Sequence, residues 1–280
     1  MKIKIMADST CDLPKELVEK YNIHIVPLSV IKNNESFSDG ITITPSEIFE
    51  HVAAGGSLCS TAAVSVGDYA DLFEKYSSEY DAVFHVNISS DFSCSYQNAC
   101  LAASDFDNVY VIDSRNLSTG QGLVVLQACK LAESCTDAAQ MKDALQAYTT
   151  KVEASFILDR LEYMVKGGRC SAAKALGANL LNLKPCIEVK DGKMSVVKKY
   201  RGNFGKSLTA YVKEKLSERD DIDPDTVFIT YTVVSDDILQ NVIDTVKEYG
   251  NFNNIIACQA GCTVSCHCGP GTLGILFVKK

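Results

Sequence analysis

Residues 3–31 read IKIMADSTCDLPKELVEKYNIHIVPLSVI, and the alternation within them decides the fold. Ile3 to Ala7 is an apolar, β-rich run, Leu13 to Tyr21 carries apolar residues at helical spacing, and Ile23 to Ile31 is β-rich again. Asp12, ahead of Leu13 and Pro14, supplies an N-cap for the helix, with proline in the first turn where its missing N–H costs no helical bond. Strand, helix and strand in this order make an α/β opening.

The pattern continues outward. Helices are predicted over Pro45 to Ala53, Ser65 to Tyr80, Tyr96 to Ser104, Gly120 to Glu133 and Asp137 to Glu153, with strands over Asp81 to Ile88 and Val109 to Asp113. Helices between strands imply a parallel sheet. Further on, Ser155 to Leu158 is apolar and Arg160 to Lys166 is helical, stopped by Gly167-Gly168. Asp191-Gly192, between Cys186 to Lys190 and Lys193 to Lys199, is the strongest hairpin signal in the chain. A helix over Lys206 to Glu218, a strand over Val227 to Val233, a helix over Ser235 to Tyr249 and a last strand in the apolar tail complete the reading. The expected architecture is two α/β domains with a cleft between them. Residues 1–150 would carry the parallel sheet and residues 151–280 the hairpin near 186–199.

Composition agrees with that size, since 280 residues fit about two domains. A net charge of −8 and a pI near 5.1 oppose binding to phosphate backbones, which is driven by Lys and Arg displacing counterions. No run of 18 apolar residues and no apolar leader core is visible, so the expectation is a cytoplasmic protein without membrane insertion. Twelve cysteines lie mostly within apolar runs and read as reduced core thiols.

Some motifs fail on context. Gly269, Gly271 and Gly274 spell G-x-G-x-x-G, but a dinucleotide site needs a helix after the glycines, and here an apolar strand follows. Gly205-Lys206-Ser207 lacks the earlier glycine of a phosphate loop, because Tyr200 stands there. No G-x-S-x-G elbow occurs. Cys258, Cys262, Cys266, His267 and Cys268 are a denser cluster of zinc-type ligands, but without the usual C-x-x-C spacing. A cysteine- or zinc-dependent enzyme built on this cluster is the main alternative to a binding protein; a hydrolase using Ser93 with His267 is another.

Three segments are rich in small hydroxyl residues: Asp8-Ser9-Thr10, Ser60 to Ser65, and Ser89 to Ser95. Each falls where a strand or loop hands over to a helix, the place where ligands gather in a parallel α/β sheet. A carboxylate offers only acceptors, so its partners are hydroxyls, N–H groups or a donating imidazole. Thr61, Ser93 and His267, the last beside a Gly-Pro-Gly turn, supply that set.

These segments are also where the chain resembles the DegV family, which includes the fatty-acid-binding subunits of bacterial fatty acid kinase. Asp8-Ser9-Thr10 and Asp39-Gly40 match its opening motifs. Thr61 to Ser65 lies where the family has T-S-Q-P-S, and Ile88 to Gln97 where it has I-S-S-x-L-S-G-T-Y-Q. Leu161 to Arg169 matches L-E-Y-L-x-x-G-G-R, and His267 to Gly274 matches H-x-G-P-G-x-x-G. The resemblance implies that Thr61, Ser93 and His267 surround a fatty-acid carboxylate, supported by Asp8, Ser9 and Cys94, while the acyl chain lies in an apolar tunnel. It also implies no catalytic residue, no metal and no cofactor in this chain. A separate ATP-dependent kinase would phosphorylate the bound acid, docking at Arg169 and Arg201 in their basic surroundings. Departures are Ala62-Ala63-Val64 for the family's Ser-Gln-Pro, and Cys94 where glycine is common.

Overall fold

The computed structural model describes residues 1–175 and 183–280. β1 (Ile3–Asp8) enters the core directly, and α1 (Lys15–Lys20) leads to β2 (His24–Val26). The predicted strand 23–31 is cut at Pro27, which has no N–H for a sheet ladder. β3 (Ser29–Lys32) therefore joins a separate small antiparallel sheet with β4 (Glu35–Ser38) and, after α2 (Pro45–Ala53), β5 (Ser60–Ala62), in the order β4-β3-β5. α2 matches its predicted span because its signals are local: Thr44 and Glu47 form a reciprocal capping box with Pro45 in the first turn.

α3 (Val66–Ser77), β6 (Ala82–Asn87), α4 (Ser95–Ala103) and β7 (Val109–Asp113) continue the α/β alternation. Strands β2-β1-β6-β7 form the expected all-parallel sheet, and every residue of β6 is buried, as in a sheet covered on both faces. α5 (Ser118–Ala132) follows, then α6 (Ala138–Thr149), shorter than predicted because Val152 is already the buried first residue of β8 (Val152–Leu158).

Past α7 (Glu162–Gly167) and α8 (Ser171–Ala175) comes the hairpin β9 (Leu183–Lys190) and β10 (Lys193–Arg201), turning at Asp191-Gly192 with both φ angles positive, as its sequence demands. α9 (Phe204–Leu216), β11 (Ile222–Tyr231), α10 (Asp236–Tyr249), β12 (Asn254–Gln259), α11 (Cys262–Cys268) and β13 (Thr272–Lys279) complete the chain. The second sheet runs β10-β9-β8-β13-β11-β12 and is mixed.

α5 lies between the two sheets. Its residues from Ser118 to Val125 are buried without a break, so it has no solvent face over its first turns. The largest apolar cluster joins Phe84 and Ile112 of the first sheet, Val124 and Val125 of α5, and Phe156, Ile187 and Leu276 of the second. The molecule is two α/β units sharing this helix layer, and the site described next lies beside it.

Candidate functional site

α11 is the element that builds the site, and it forms against local propensity. CTVSCHC contains no strong helix former, and no side chain of its own caps it. Its free N–H groups are met from the far end of the chain. Cys262 and Thr263 donate to the two carboxylate oxygens of Asp39 at 2.9 and 3.1 Å, and Gly261 donates to Asp12 at 2.9 Å. Asp12 is thus not the N-cap predicted for α1. It sits at φ 50, accepts from Ser118 Oγ at 2.6 Å, and leaves Pro14 at the N-cap position. Burial pushes the Asp12 carboxyl up to about 7 despite those two hydrogen bonds.

On α11, Thr263, Val264, His267 and Cys268 face one cavity. His267 Nε2 lies 2.8 Å from Thr61 Oγ1, delivered by β5. The imidazole is kept below its ordinary range, at about 4, first by burial and then by the nearby positive charge of Arg169; at neutral pH it is uncharged. Its Nδ1 is buried with no partner. Gly167 and Gly168 serve it in different ways. A Cβ on Gly167 would lie 2.4 Å from Nδ1, so the absent side chain is the space the ring occupies, whereas Gly168 has open space and φ 72, the left-handed end of α7.

Arg169 follows at once. Its guanidinium lines the cavity and donates to the carbonyls of Phe92 and Gly167, so neither of these bonds neutralises its charge. Ser93 lines the same wall, where its hydroxyl accepts from the Ser95 N–H at 3.2 Å and lies 2.9 Å from Ser95 Oγ, at the start of α4. The cavity has a volume of about 50 Å³, and its remaining lining includes Leu28, Ile88, Phe92, Leu117 and Met194.

A second chamber of about 30 Å³ abuts it, because Leu117, Val264 and Cys268 line both. Ala154, Phe156, Val189 and Leu276 wall the inner chamber. Its threonines turn their hydroxyls away: Thr232 donates to Gly269 O, Thr272 to Cys268 O, and Thr230 pairs with Thr119. The result is a polar mouth with one unneutralised cation and a dry, apolar interior, a shape for an acidic head on an apolar tail.

Of the residues singled out in the sequence, Thr61, Ser93, His267 and Arg169 converge on this cavity, and four others do not. Asp8 is fully buried under the first sheet, accepting from Tyr69 Oη at 2.7 Å, Asn87 Nδ2 and the Ile88 N–H, with His85 Nε2 at 3.1 Å. Ser9 donates to Asp39, so it supports α11 from behind. Cys94 is exposed and outside the lining. Arg201 is exposed at the end of β10, while neighbouring Lys198 is taken by Glu214. Sequence reasoning missed Thr263, whose buried hydroxyl lines the cavity without a partner. The signal was the four-residue spacing to His267, readable only once 262–268 is known to be helical.

The cysteine cluster is dispersed by the fold. Cys258 meets Thr230, Cys262 donates to Ile43 O, and burial pushes the Cys258, Cys262 and Cys268 thiols up to about 12, away from the thiolate that metal binding or nucleophilic attack requires. Among the described residues no three His, Cys, Asp or Glu side chains are grouped to hold a metal ion. Nor do Ser93 and His267 form a nucleophile-base pair, since the imidazole engages Thr61 and has no group orienting its other nitrogen.

The family model described as "Uncharacterised protein, DegV family" matches residues 2–280. The chain belongs to the DegV family. A DegV domain-containing protein of Clostridium perfringens is 33% identical across all of this chain and 99% of its own length. Among solved structures, a DegV family protein from Thermus thermophilus, reported for its fatty acid binding, superposes with a TM-score of 0.90 at 29% identity, covering all of both chains. A stearic acid-binding protein from Eubacterium ventriosum gives 0.85 at 27% identity over 99% of this chain and 98% of its own. The two-unit α/β architecture is thus the DegV fold, and fatty acid binding is described for these DegV relatives.

Proposed function

We propose that this DegV protein carries one long-chain fatty acid and presents its carboxylate to a separate ATP-dependent fatty acid kinase, which forms the acyl phosphate. The observation that carries the reading is the adjoining pair of chambers, polar and cationic at Thr61, Ser93, His267 and Arg169, apolar on the far side of Leu117, Val264 and Cys268. Neutral His267 donates through Nε2 to Thr61, which leaves the Thr61 and Ser93 hydroxyls to donate to the carboxylate, and Arg169 supplies the countercharge. A tail of about 15 methylenes, at about 0.8 kcal/mol each, contributes on the order of 12 kcal/mol before ordering costs. Affinity comes from the tail and orientation from the head.

No cofactor enters this scheme; the nucleotide belongs to the kinase, consistent with the failed phosphate-loop motifs. Arg169 and Arg201 form the docking positions, and Arg169, lying at the cavity wall, also couples docking to the head group. The test is phosphorylation of bound fatty acid by added kinase and ATP. Ser93→Ala should weaken binding modestly and slow phosphorylation more, because it disturbs the head and leaves the tail contacts; a wild-type rate at saturating kinase would overturn the scheme.

A further inference from the structure

We infer that Thr263 is a further head-group donor, a specificity residue that recognises the ligand's carboxylate alongside Thr61 and Ser93. The inference rests on the fatty-acid reading above but on a different observation. Thr263 is 4% exposed, its buried Oγ1 has no hydrogen-bond partner among the described residues, and the residue lines the outer chamber. Buried hydroxyls are almost always paired, and one left open next to a cavity marks the place of an absent acceptor.

Its placement is also fixed from outside the site. The Thr263 N–H is held by Asp39 Oδ2 at 3.1 Å and the preceding N–H by Asp39 Oδ1 at 2.9 Å, so the first turn of α11 is pinned. Thr263 and His267 stand one helical turn apart and line the same cavity. A carboxylate has about four lone-pair sites on its two oxygens, enough to accept from Thr61, Ser93 and Thr263 at once.

Replacing Thr263 by Val keeps the shape and removes the hydroxyl, so the two states of the protein should respond in opposite directions. The ligand-free variant should melt at a higher temperature than wild type, because an unpaired buried polar group is gone. Its affinity for a long-chain fatty acid should fall roughly ten-fold or more, the effect of losing a hydrogen bond to a charged group. Affinity for the corresponding fatty acid methyl ester, which has no carboxylate, should change far less, and Thr263→Ser should restore acid binding. Undiminished acid affinity in Thr263→Val, or a ligand-free variant less stable than wild type, would overturn the assignment. Failure of the wild-type protein to bind the acid would instead overturn the fatty-acid reading, while the melting comparison would still test whether the hydroxyl is unpaired.

Discussion

Gly167 and His267 are packed so closely that a Cβ on the glycine would lie 2.4 Å from the imidazole Nδ1. The ring cannot keep its place beside Thr61 if residue 167 carries a side chain. Gly167→Ala should therefore lower fatty-acid affinity through displacement of His267, with small loss of stability. Gly168→Ala should do the reverse, costing about 1–2 kcal/mol of stability through its φ of 72 while sparing the site. Binding titrations and melting curves on the two variants check the contrast.

The depressed His267 pKa makes a signed expectation. The ring takes up its proton near pH 4 in the folded protein and near 6.5 in the unfolded chain, so the unfolded state binds the extra proton in that window. Stability contributed by neutral His267 is thus lost as pH falls from 6.5 towards 4, by up to on the order of 3 kcal/mol. His24, also held near 4 by burial, acts in the same direction, whereas Asp12, raised to about 7, favours the folded state as pH falls. Comparing wild type with His267→Gln across this range isolates the single histidine: the variant should lose less stability on acidification.

The hairpin tip is tied to the loops that follow β6 and β7. Ser89 Oγ donates to Gly192 O at 2.9 Å, Arg115 donates to Asp191 O, and Met194 of the same hairpin lines the outer chamber. A Cβ at Gly192 would lie 2.6 Å from the Arg115 guanidinium carbon and 2.7 Å from Ser89 Oγ, at a φ of 78. Gly192→Ala should release the tip and speed fatty-acid dissociation, measured by exchange of a fluorescent fatty acid. An unchanged off-rate would remove the hairpin tip from the account.

Chain length should be read by the inner chamber. Ala154 is 1% exposed on its wall, so Ala154→Leu takes up space that the end of the tail would occupy. We expect preference to move to shorter acids, with each excluded methylene costing about 0.8 kcal/mol, roughly four-fold in affinity. A competition series of acids of increasing length shows the shift; the same preference as wild type would place the tail elsewhere.

How much of this was legible in the sequence depends on where each element's partners lie. α2 and the Asp191-Gly192 hairpin were readable because cap, proline and turn residues are neighbours in the chain. α11 was not, because the carboxylate that satisfies Cys262 and Thr263 belongs to Asp39, more than two hundred residues earlier. The same holds for Asp8: its position after the first strand looked like a ligand site, but strand pairing sets Asn87 and His85 of β6 beside it, and they consume the carboxylate. Thr61, Ser93 and His267 could be named from hydroxyl clusters and a glycine-rich turn, yet only the fold shows that Thr61 and His267 touch. The cysteine spacing did not imply a shared face, and Cys258 is on a strand whereas Cys262 and Cys266 are on a helix.

The central claim is that the two adjoining chambers hold one fatty acid per chain, and native mass spectrometry of the purified protein, followed by denaturing extraction of whatever accompanies it, tests this most directly. We expect a bound mass equal to one fatty acid per chain, released on denaturation and recovered as the free acid. Bound zinc with no lipid would contradict the account and return attention to the cysteines of α11.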